Sequence, residues 1–579
     1  MTNPTLAKKG FAPQAIAILS YAILLAGVIT IGFSAYLVVV SHSNLPYWDG
    51  WSQVAFASNG GGTPHTLDWL WRQFNQHRLF IPRLFLLADL RWFHATQTFL
   101  LASVFAIQFL YLLLLSWSMR VLGAWRGALW RSGAGLAAFC LFCPSQWQNQ
   151  TMGISGLCFD LPGLFATLSF VGLLLYWVHS GQSTDGWGSW KYLSLSIAAA
   201  LGGTLTLSNG NLLWPLLVAV ALLLRLRPAA VLSLAIAGAV STSVYLHNYT
   251  RPPSVIPSLE TPTTTLRYLT AYFGSSWVQS NVRVAELIGL AGLALFFLLL
   301  LRFPSYVRNR SPFCVQLLLT LVFCVGTGLF TALGRLVFGV AQAFSSRYQA
   351  YALLFWCCMA LLLLAEMSSA RTTRNIAFLL SQVILLVIML VAARLAPTPL
   401  TKARVRGFQL NAAAMALVTD VPDMDQLQWA DSQPGYVLSL VPYMRKERLS
   451  VFSGMEPSLL GKPLDSMFNL ASPNECKGEL ESTTVVPSAW PRSLRITGWA
   501  WDSKHRRPPS EIVIATYGVI IGLGAVGDWH PVNKAANPWM TSNFIGYTGY
   551  VQNVEPSSPM EIYAILRGSP ASACLIAAK

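Results

Sequence analysis

The sequence predicts a polytopic α-helical membrane protein of about eleven spans, followed by a C-terminal extracytoplasmic β-sandwich. Three observations carry this expectation. Of the 579 residues, 54% are hydrophobic and 11% are charged, less than half of the roughly 25% charged residues in an ordinary soluble domain. Apolar runs approaching the roughly 20 residues that cross a bilayer core recur from Ala15 to Arg394 and then stop. From Cys476 onward, short alternating runs bounded by Gly and Pro read as strands. A simple soluble enzyme is excluded.

The expected spans are residues 15 to 40, 97 to 118, 132 to 145, 157 to 178, 192 to 207, 211 to 224, 229 to 246, 284 to 301, 313 to 333, 348 to 367 and 376 to 394. The first run is longer than the roughly 7 to 15 apolar residues of a signal peptide. With Lys8 and Lys9 ahead of it, it reads as an uncleaved span. The short segment 132 to 145, and the pair interrupted by Ser208-Asn209-Gly210-Asn211, also fit re-entrant or half-helices. A cytoplasmic N-terminus places Arg120, Arg126, Arg131, Arg225, Arg227, Arg302, Arg308, Arg310, Arg371 and Arg374 in short cytoplasmic connections, as the positive-inside rule expects. The polar C-terminal part then lies outside. The chain divides into a transmembrane domain, 1 to 394, a helical connector, 395 to 470, and a β-rich domain, 471 to 579.

The formal net charge is +16, and the tail from Leu395 holds 16 of the 39 Lys and Arg against 15 of the 23 Asp and Glu. The excess therefore sits in the membrane part, spread over loops rather than gathered on one arm. That pattern does not suit nucleic acid. Several bases, Arg78, Arg335 and Arg347 among them, fall on the outer side, and an anionic lipid or lipid-linked ligand there would account for them.

Seven of the nine cysteines lie in or beside apolar spans, as small buried hydrophobes do. Cys140 and Cys143 form a CxxC with no second ligand pair, which is weak evidence for a metal. Cys476 and Cys574 bracket the polar domain. A disulfide closing a loop of that length adds up to roughly 4 to 5 kcal/mol and persists in an oxidising compartment. The domain also carries Trp490, Trp499, Trp501, Trp529, Trp539, Tyr547 and Tyr550. Most such rings are core residues of a small sheet, while an exposed one can stack on a sugar.

Only eight acids precede Leu395, so each can be weighed. Asp185 and Glu260 fall in loops, Glu286 and Glu366 near span ends, and Asp68 in an amphipathic segment. Asp89 reads as an ion-pair partner of Arg83 or Arg91. Asp160 lies inside a span and must face a cavity or a partner. Asp49 differs, standing in Leu45-Pro46-Tyr47-Trp48-Asp49-Gly50-Trp51 directly after the first span. Interface anchoring explains the rings but not the carboxylate and Gly50, which favour a functional role. In Phe74-Asn75-Gln76-His77-Arg78-Leu79, either a polar interfacial helix lets His77 and Arg78 snorkel, or the two side chains hold a phosphate. Further polar clusters, Gln146-Trp147-Gln148-Asn149-Gln150, Ser208 to Asn211, His247-Asn248-Tyr249, Gly334-Arg335 and Ser345-Ser346-Arg347-Tyr348, fall on the same outer side, which points to a shared polar ligand.

The blocks Pro46-Tyr47-Trp48-Asp49, Asn75-Gln76-His77-Arg78, Gln146-Trp147-Gln148-Asn149 and Ser346-Arg347-Tyr348 resemble a poorly characterised bacterial branch of the GT-C superfamily of integral membrane glycosyltransferases. The resemblance covers the whole chain in architecture and short blocks in motif. It implies sugar transfer, with inversion, from a polyprenyl-phosphate donor to a glycan or lipid acceptor at the outer face of a bacterial inner membrane. Asp49 would be the general base, and Arg78, Arg335 and Arg347, with His77, would hold the leaving phosphate. Gln146, Asn149 and Asn209 would meet sugar hydroxyls, Trp48 and Trp51 would line the sugar site, and Trp147 and Tyr348 fall in the motif blocks. No cofactor is expected, with a divalent cation as the alternative. Many members carry paired acids that suit a divalent cation, but Asp49 has no adjacent second acid, and one carboxylate is a poor site for such an ion. The rivals are a transporter or flippase of a lipid-linked sugar, which would want ionisable residues deep in several spans, a noncatalytic glycan-recognition subunit, and a ligase-like transferase with a pyrophosphate-linked donor.

Overall fold

The computed structural model describes residues 11–59, 63–180, 187–250, 262–369, 374–395, 397–487, 492–532, 539–568 and 571–579. Lys8, Lys9, Asp185, Glu260, Arg371 and Trp490 lie outside the described residues. The chain forms two compact units that do not follow sequence order. One contains Met1–Leu37, Leu67–Leu84 and Leu101–Leu400, and the other contains Val38–Thr66, Phe85–Leu100 and Thr401–Lys579. The Asp49 loop thus belongs with the C-terminal region rather than with the helices that flank it in sequence.

The first unit is helical. Among the described residues, eight helices of the chain are long and apolar enough to cross a membrane by length and composition. Three of the eleven expected spans fall short of that: Gly127–Leu141 has 15 residues, Leu213–Leu223 has 11, and Trp187–Thr204 is not among the eight. The 3-10 turn Ser208–Leu212 interrupts the chain between the last two. Small residues set how closely helices approach. A Cβ on Gly274 would meet the Ala285 carbonyl at 1.8 Å, and one on Gly289 would meet the Thr270 carbonyl at the same distance, so helices Pro262–Gly274 and Val282–Leu300 cross backbone to backbone. Asn281 starts the second of these, its side chain accepting from the Val284 amide.

The segment expected as an interfacial helix around His77 is instead a hairpin. Strand β1, Gln73–Phe74, pairs antiparallel with β2, His77–Arg78. Asn75 takes the left-handed φ of 50° that the tight turn requires and that Asn tolerates. Gln73 zips this hairpin to Thr250, donating from Nε2 to its carbonyl at 2.5 Å and accepting from its amide at 3.0 Å.

Among the described residues, the second unit carries one eight-stranded sheet rather than the two packed sheets of a sandwich. Its strands are β3 Asn469–Leu470, β4 Cys476–Val485, β5 Ser493–Asp502, β6 Glu511–Thr516, β7 Val519–Trp529, β8 Phe544–Gln552, β9 Glu561–Leu566 and β10 Ser572–Ala578, in the order β3-β10-β9-β6-β7-β8-β5-β4. Only β3 and β10 run parallel. Bulges in the pairings of β4 with β5, β6 with β7, β7 with β8 and β9 with β10 strengthen the coil. The sheet curls into a half-barrel, and a disulfide joins Cys476 of β4 to Cys574 of β10 with Cα atoms 6.1 Å apart.

Inside the curl pack Leu494, Ile496, Ile512, Ile514, Tyr547 and Ile562. On the other face Val513, Ile520 and Leu523 share a core with Leu410, Leu417, Val437 and Leu440 of helices Pro397–Val418 and Pro434–Lys446. A layer of helices covers the face that a second sheet would have covered. Strand β6 is consequently apolar on both sides, a pattern that sequence alternation alone assigned to a sandwich core.

Candidate functional site

In the first unit three separate polar loops meet. The hairpin presents His77, whose Nδ1 shares a 2.8 Å hydrogen bond with Ser208 Oγ. Burial, and then the charge of nearby Arg335, lower the His77 imidazole to about 4, so it is neutral at physiological pH. Next to Ser208, Asn209 donates from Nδ2 to Tyr351 Oη at 2.9 Å and to Thr327 Oγ1 at 3.2 Å. Its Oδ1 is buried without a hydrogen-bond partner among the described residues.

A second junction joins the blocks around Asn149 and Arg347. The Gln148 amide donates to Ser346 Oγ at 3.2 Å, and Ser346 Oγ donates to the Ser145 carbonyl at 2.8 Å. Asn149 Nδ2 donates to the Arg347 carbonyl at 2.9 Å, while its Oδ1 accepts from Ser155 Oγ at 2.8 Å. Gln146 donates to the Leu141 carbonyl, its Oε1 is buried with no hydrogen-bond partner among the described residues, and the half-buried Trp147 opens the short helix Trp147–Thr151 that follows. Two motifs picked from the sequence nearly 200 residues apart thus hold one another.

The arginines divide by environment. Arg78 is 3% exposed, and its guanidinium donates to three backbone carbonyls: Tyr245 at 2.7 Å, Trp71 at 2.7 Å and His247 at 2.5 Å. It braces the hairpin. Arg83 does similar work at the end of helix Thr63–Trp71, donating to the carbonyls of Trp69 and Arg72, where a cation also suits the helix's negative end. Arg335 and Arg347 are half-buried and have no carboxylate partner among the described residues. Each lies beside an aromatic ring, Phe338 at 5.8 Å and Tyr348 at 5.6 Å.

Both charges also act on Tyr268: burial and then Tyr348 raise its phenol above the ordinary value, while Arg335 and Arg347 pull it down. Tyr272 stacks on Tyr348 with centroids 6.1 Å apart. The hydroxyls of Tyr268, Tyr272 and Tyr348 are all buried, and none has a hydrogen-bond partner among the described residues. Buried polar groups are rarely left so, and each asks for an ion, water or ligand. Tyr268 and Tyr272 were not identified from the sequence. Their i, i+4 spacing in Tyr268-Leu-Thr-Ala-Tyr272 was the available signal.

In the second unit Asp49 is exposed on the 3-10 turn Trp48–Gly50 and leads into helix Trp51–Ser58, whose positive N-terminal end favours a carboxylate. Trp48 has a left-handed φ of 46°, anchored by its amide on the Ala430 carbonyl at 2.9 Å, and its ring is 44% exposed. Trp51 is wholly buried, its Nε1 donating to the same carbonyl at 3.3 Å. One helical turn from Asp49, the buried Gln53 donates from Nε2 to Asp89 Oδ2 at 3.5 Å. Asp89 is therefore not the ion-pair partner expected. Burial pushes its carboxyl up to about 7, against hydrogen bonds from Gln53 and the Gln97 backbone. Trp501, Tyr547 and Tyr550 are core residues, whereas Trp529 and Trp539 are exposed.

No known protein-family profile and no curated protein matches this sequence.

Proposed function

We propose that this chain is a membrane glycosyltransferase that takes its sugar from a polyprenyl-phosphate donor and passes it to a cell-envelope glycan or lipid at the outer face of a bacterial inner membrane. The observation that carries the reading is the set around Tyr268: among the described residues two guanidiniums, Arg335 and Arg347, have no carboxylate partner, and three buried hydroxyls, Tyr268, Tyr272 and Tyr348, have no hydrogen-bond partner. A phosphate has the acceptor oxygens to satisfy that set, and guanidinium binds it in charge-assisted pairs. Uncompensated cations kept half out of water are costly unless an anion joins them.

The surroundings favour a phosphate with an apolar tail over a free ion. Leu329, Phe330, Val337 and Phe338, which precede and follow Arg335, are 39%, 48%, 70% and 57% exposed and offer a surface for a prenyl chain. Asn209 Oδ1 and Gln146 Oε1 are spare acceptors for sugar hydroxyls. Neutral His77 adds no charge. Transfer further needs a base for the acceptor hydroxyl, and the residue expected in that role, Asp49, is exposed on the other unit.

The reading is tested in proteoliposomes loaded with polyprenyl-phosphate sugars. Transfer of labelled sugar by the wild type, lost in Arg347→Gln while the protein still inserts and melts as before, supports it. Equal turnover in the variant overturns it.

A further inference from the structure

We propose that Asp89 keeps its proton in the folded protein and, paired through it with Gln53, positions the short helix that begins beside Asp49. Both side chains are 0% exposed, and Gln53 Nε2 donates to Asp89 Oδ2 at 3.5 Å. The other two oxygens of the pair, Asp89 Oδ1 and Gln53 Oε1, are buried, and neither has a hydrogen-bond partner among the described residues. While Asp89 is ionised both are acceptors, and neither can match the other. A proton on Oδ1 turns that oxygen into a donor, and the Gln53 amide oxygen is the acceptor on the group already facing it. One proton therefore satisfies two buried atoms that otherwise go without. The 3.5 Å contact is also longer than the roughly 2.7 to 2.9 Å of a charge-assisted hydrogen bond, as an uncharged carboxyl leaves it.

Two other buried aspartates of the same unit show what ionisation requires. Asp423, 1% exposed, accepts from Arg495 Nε at 2.6 Å and from Tyr550 Oη at 3.0 Å. Asp502, 0% exposed, accepts from the His505 amide at 2.9 Å, shares a 2.8 Å hydrogen bond with His505 Nδ1 and has Arg507 Nε 4.0 Å away. Asp89 has no cation at ion-pair distance among the described residues. The charged groups of the surrounding elements are engaged elsewhere or face water. Asp49, Arg91 and His94 are exposed, Arg83 holds the carbonyls of Trp69 and Arg72, Arg406 lies 5.1 Å from the Tyr47 ring, and Arg445 pairs with Asp420. Burial, set against the hydrogen bonds from Gln53 and the Gln97 backbone, puts the loss of the Asp89 proton at about 7.

Gln53 lies one helical turn after Asp49, in helix Trp51–Ser58. The Trp48 amide and Trp51 Nε1 tie the start of this segment to the Ala430 carbonyl, and the pair with Asp89 is the next anchor along it. Once the proton leaves, a buried charge faces an amide oxygen, and opening the helix to water relieves both. Where Asp49 is the base, which rests on the function proposed above, Asp89 is thereby a positioning residue that acts through Gln53.

The test is hydrogen exchange on the full-length protein in detergent, read by mass spectrometry over residues 48–58 at pH 6 and pH 8 with the intrinsic chemical rates divided out. Protection of the wild-type helix should fall about tenfold between the two, since pH 8 lies about one unit above the point where the proton is lost. In Asp89→Asn protection should stay level, because the new carboxamide donates to Gln53 Oε1 at either pH, as the acid does below pH 7. Should that variant fail to fold, Asp89→Leu, equally uncharged, should also be level, at a lower protection. Wild-type protection that does not change, or an equal fall in the uncharged variant, overturns the proposal. Because no turnover is read, that failure leaves the donor reading untouched.

Discussion

Asn149 Nδ2 donates to the backbone carbonyl of Arg347 at 2.9 Å across 198 residues of sequence. The amide acts on the main chain, so it sets where the Arg347 side chain starts rather than touching a ligand itself. Removing a donor from a buried acceptor costs about 1 to 3 kcal/mol. Asn149→Ala should therefore weaken binding of polyprenyl phosphate by about tenfold, measured by native mass spectrometry, while the Arg347 guanidinium is still present. Unchanged affinity would show that the junction does not hold the anion site.

Stability should depend on pH through Asp89. Its carboxyl is raised to about 7 in the folded protein by burial, against about 3.9 unfolded. A raised acid contributes its stability below the unfolded value and loses it as pH climbs through the folded one. The loss runs from about pH 4 to pH 7 and amounts to roughly 4 kcal/mol at most. Thermal melts of Asp89→Asn should be flatter than wild type over that window and higher at pH 8. Parallel curves would mean that Asp89 titrates normally.

Much of this was legible in the sequence, and the failures have identifiable causes. Composition marked the membrane part, and the four motif blocks included both sides of the Asn149–Arg347 junction. Tyr268 and Tyr272 stayed hidden because helix Pro262–Gly274 begins Pro-Thr-Thr-Thr and carries Arg267, so no hydropathy window marks it. The hairpin at His77 was hidden because two-residue strands have no period. Alternation revealed β5 and β6, yet it cannot say what covers them, and helices took the place assigned to a second sheet. That the Asp49 loop clusters with the C-terminal region rests on contacts such as Trp51 Nε1 to the Ala430 carbonyl, 379 residues away, which no local pattern encodes.

Reduction should loosen the half-barrel. The Cys476–Cys574 bond closes a separation of 98 residues, worth roughly 4 to 5 kcal/mol in the chain-entropy account. The double variant Cys476→Ser with Cys574→Ser should lower the melting transition of the sheet by several degrees, followed by circular dichroism near 215 nm, the ordinary β signal. A transition that does not move would show that β4 and β10 stay together without the bond.

Asp49 offers a clean separation of chemistry from folding, because it is exposed and a substitution there disturbs no core. A general base contributes about 10² to 10⁴ in rate. Asp49→Asn should lose that much sugar transfer with insertion and melting temperature unchanged. Near wild-type turnover would remove Asp49 from the reaction and turn attention to Asp160, whose Oδ2 accepts from Gln108 Nε2 at 2.9 Å.

The most direct test of the phosphate site compares two ligands that differ only in the anion. Polyprenyl phosphate and the corresponding polyprenol are titrated against the wild type and against Arg335→Gln with Arg347→Gln. Two charge-assisted contacts are worth about 1.5 to 3 kcal/mol each, so the phosphate should bind the wild type at least about a hundredfold more tightly than the alcohol. That preference should collapse in the double variant while polyprenol affinity holds. Equal affinity of the two lipids for the wild type, or a preference that survives loss of both arginines, would contradict the account.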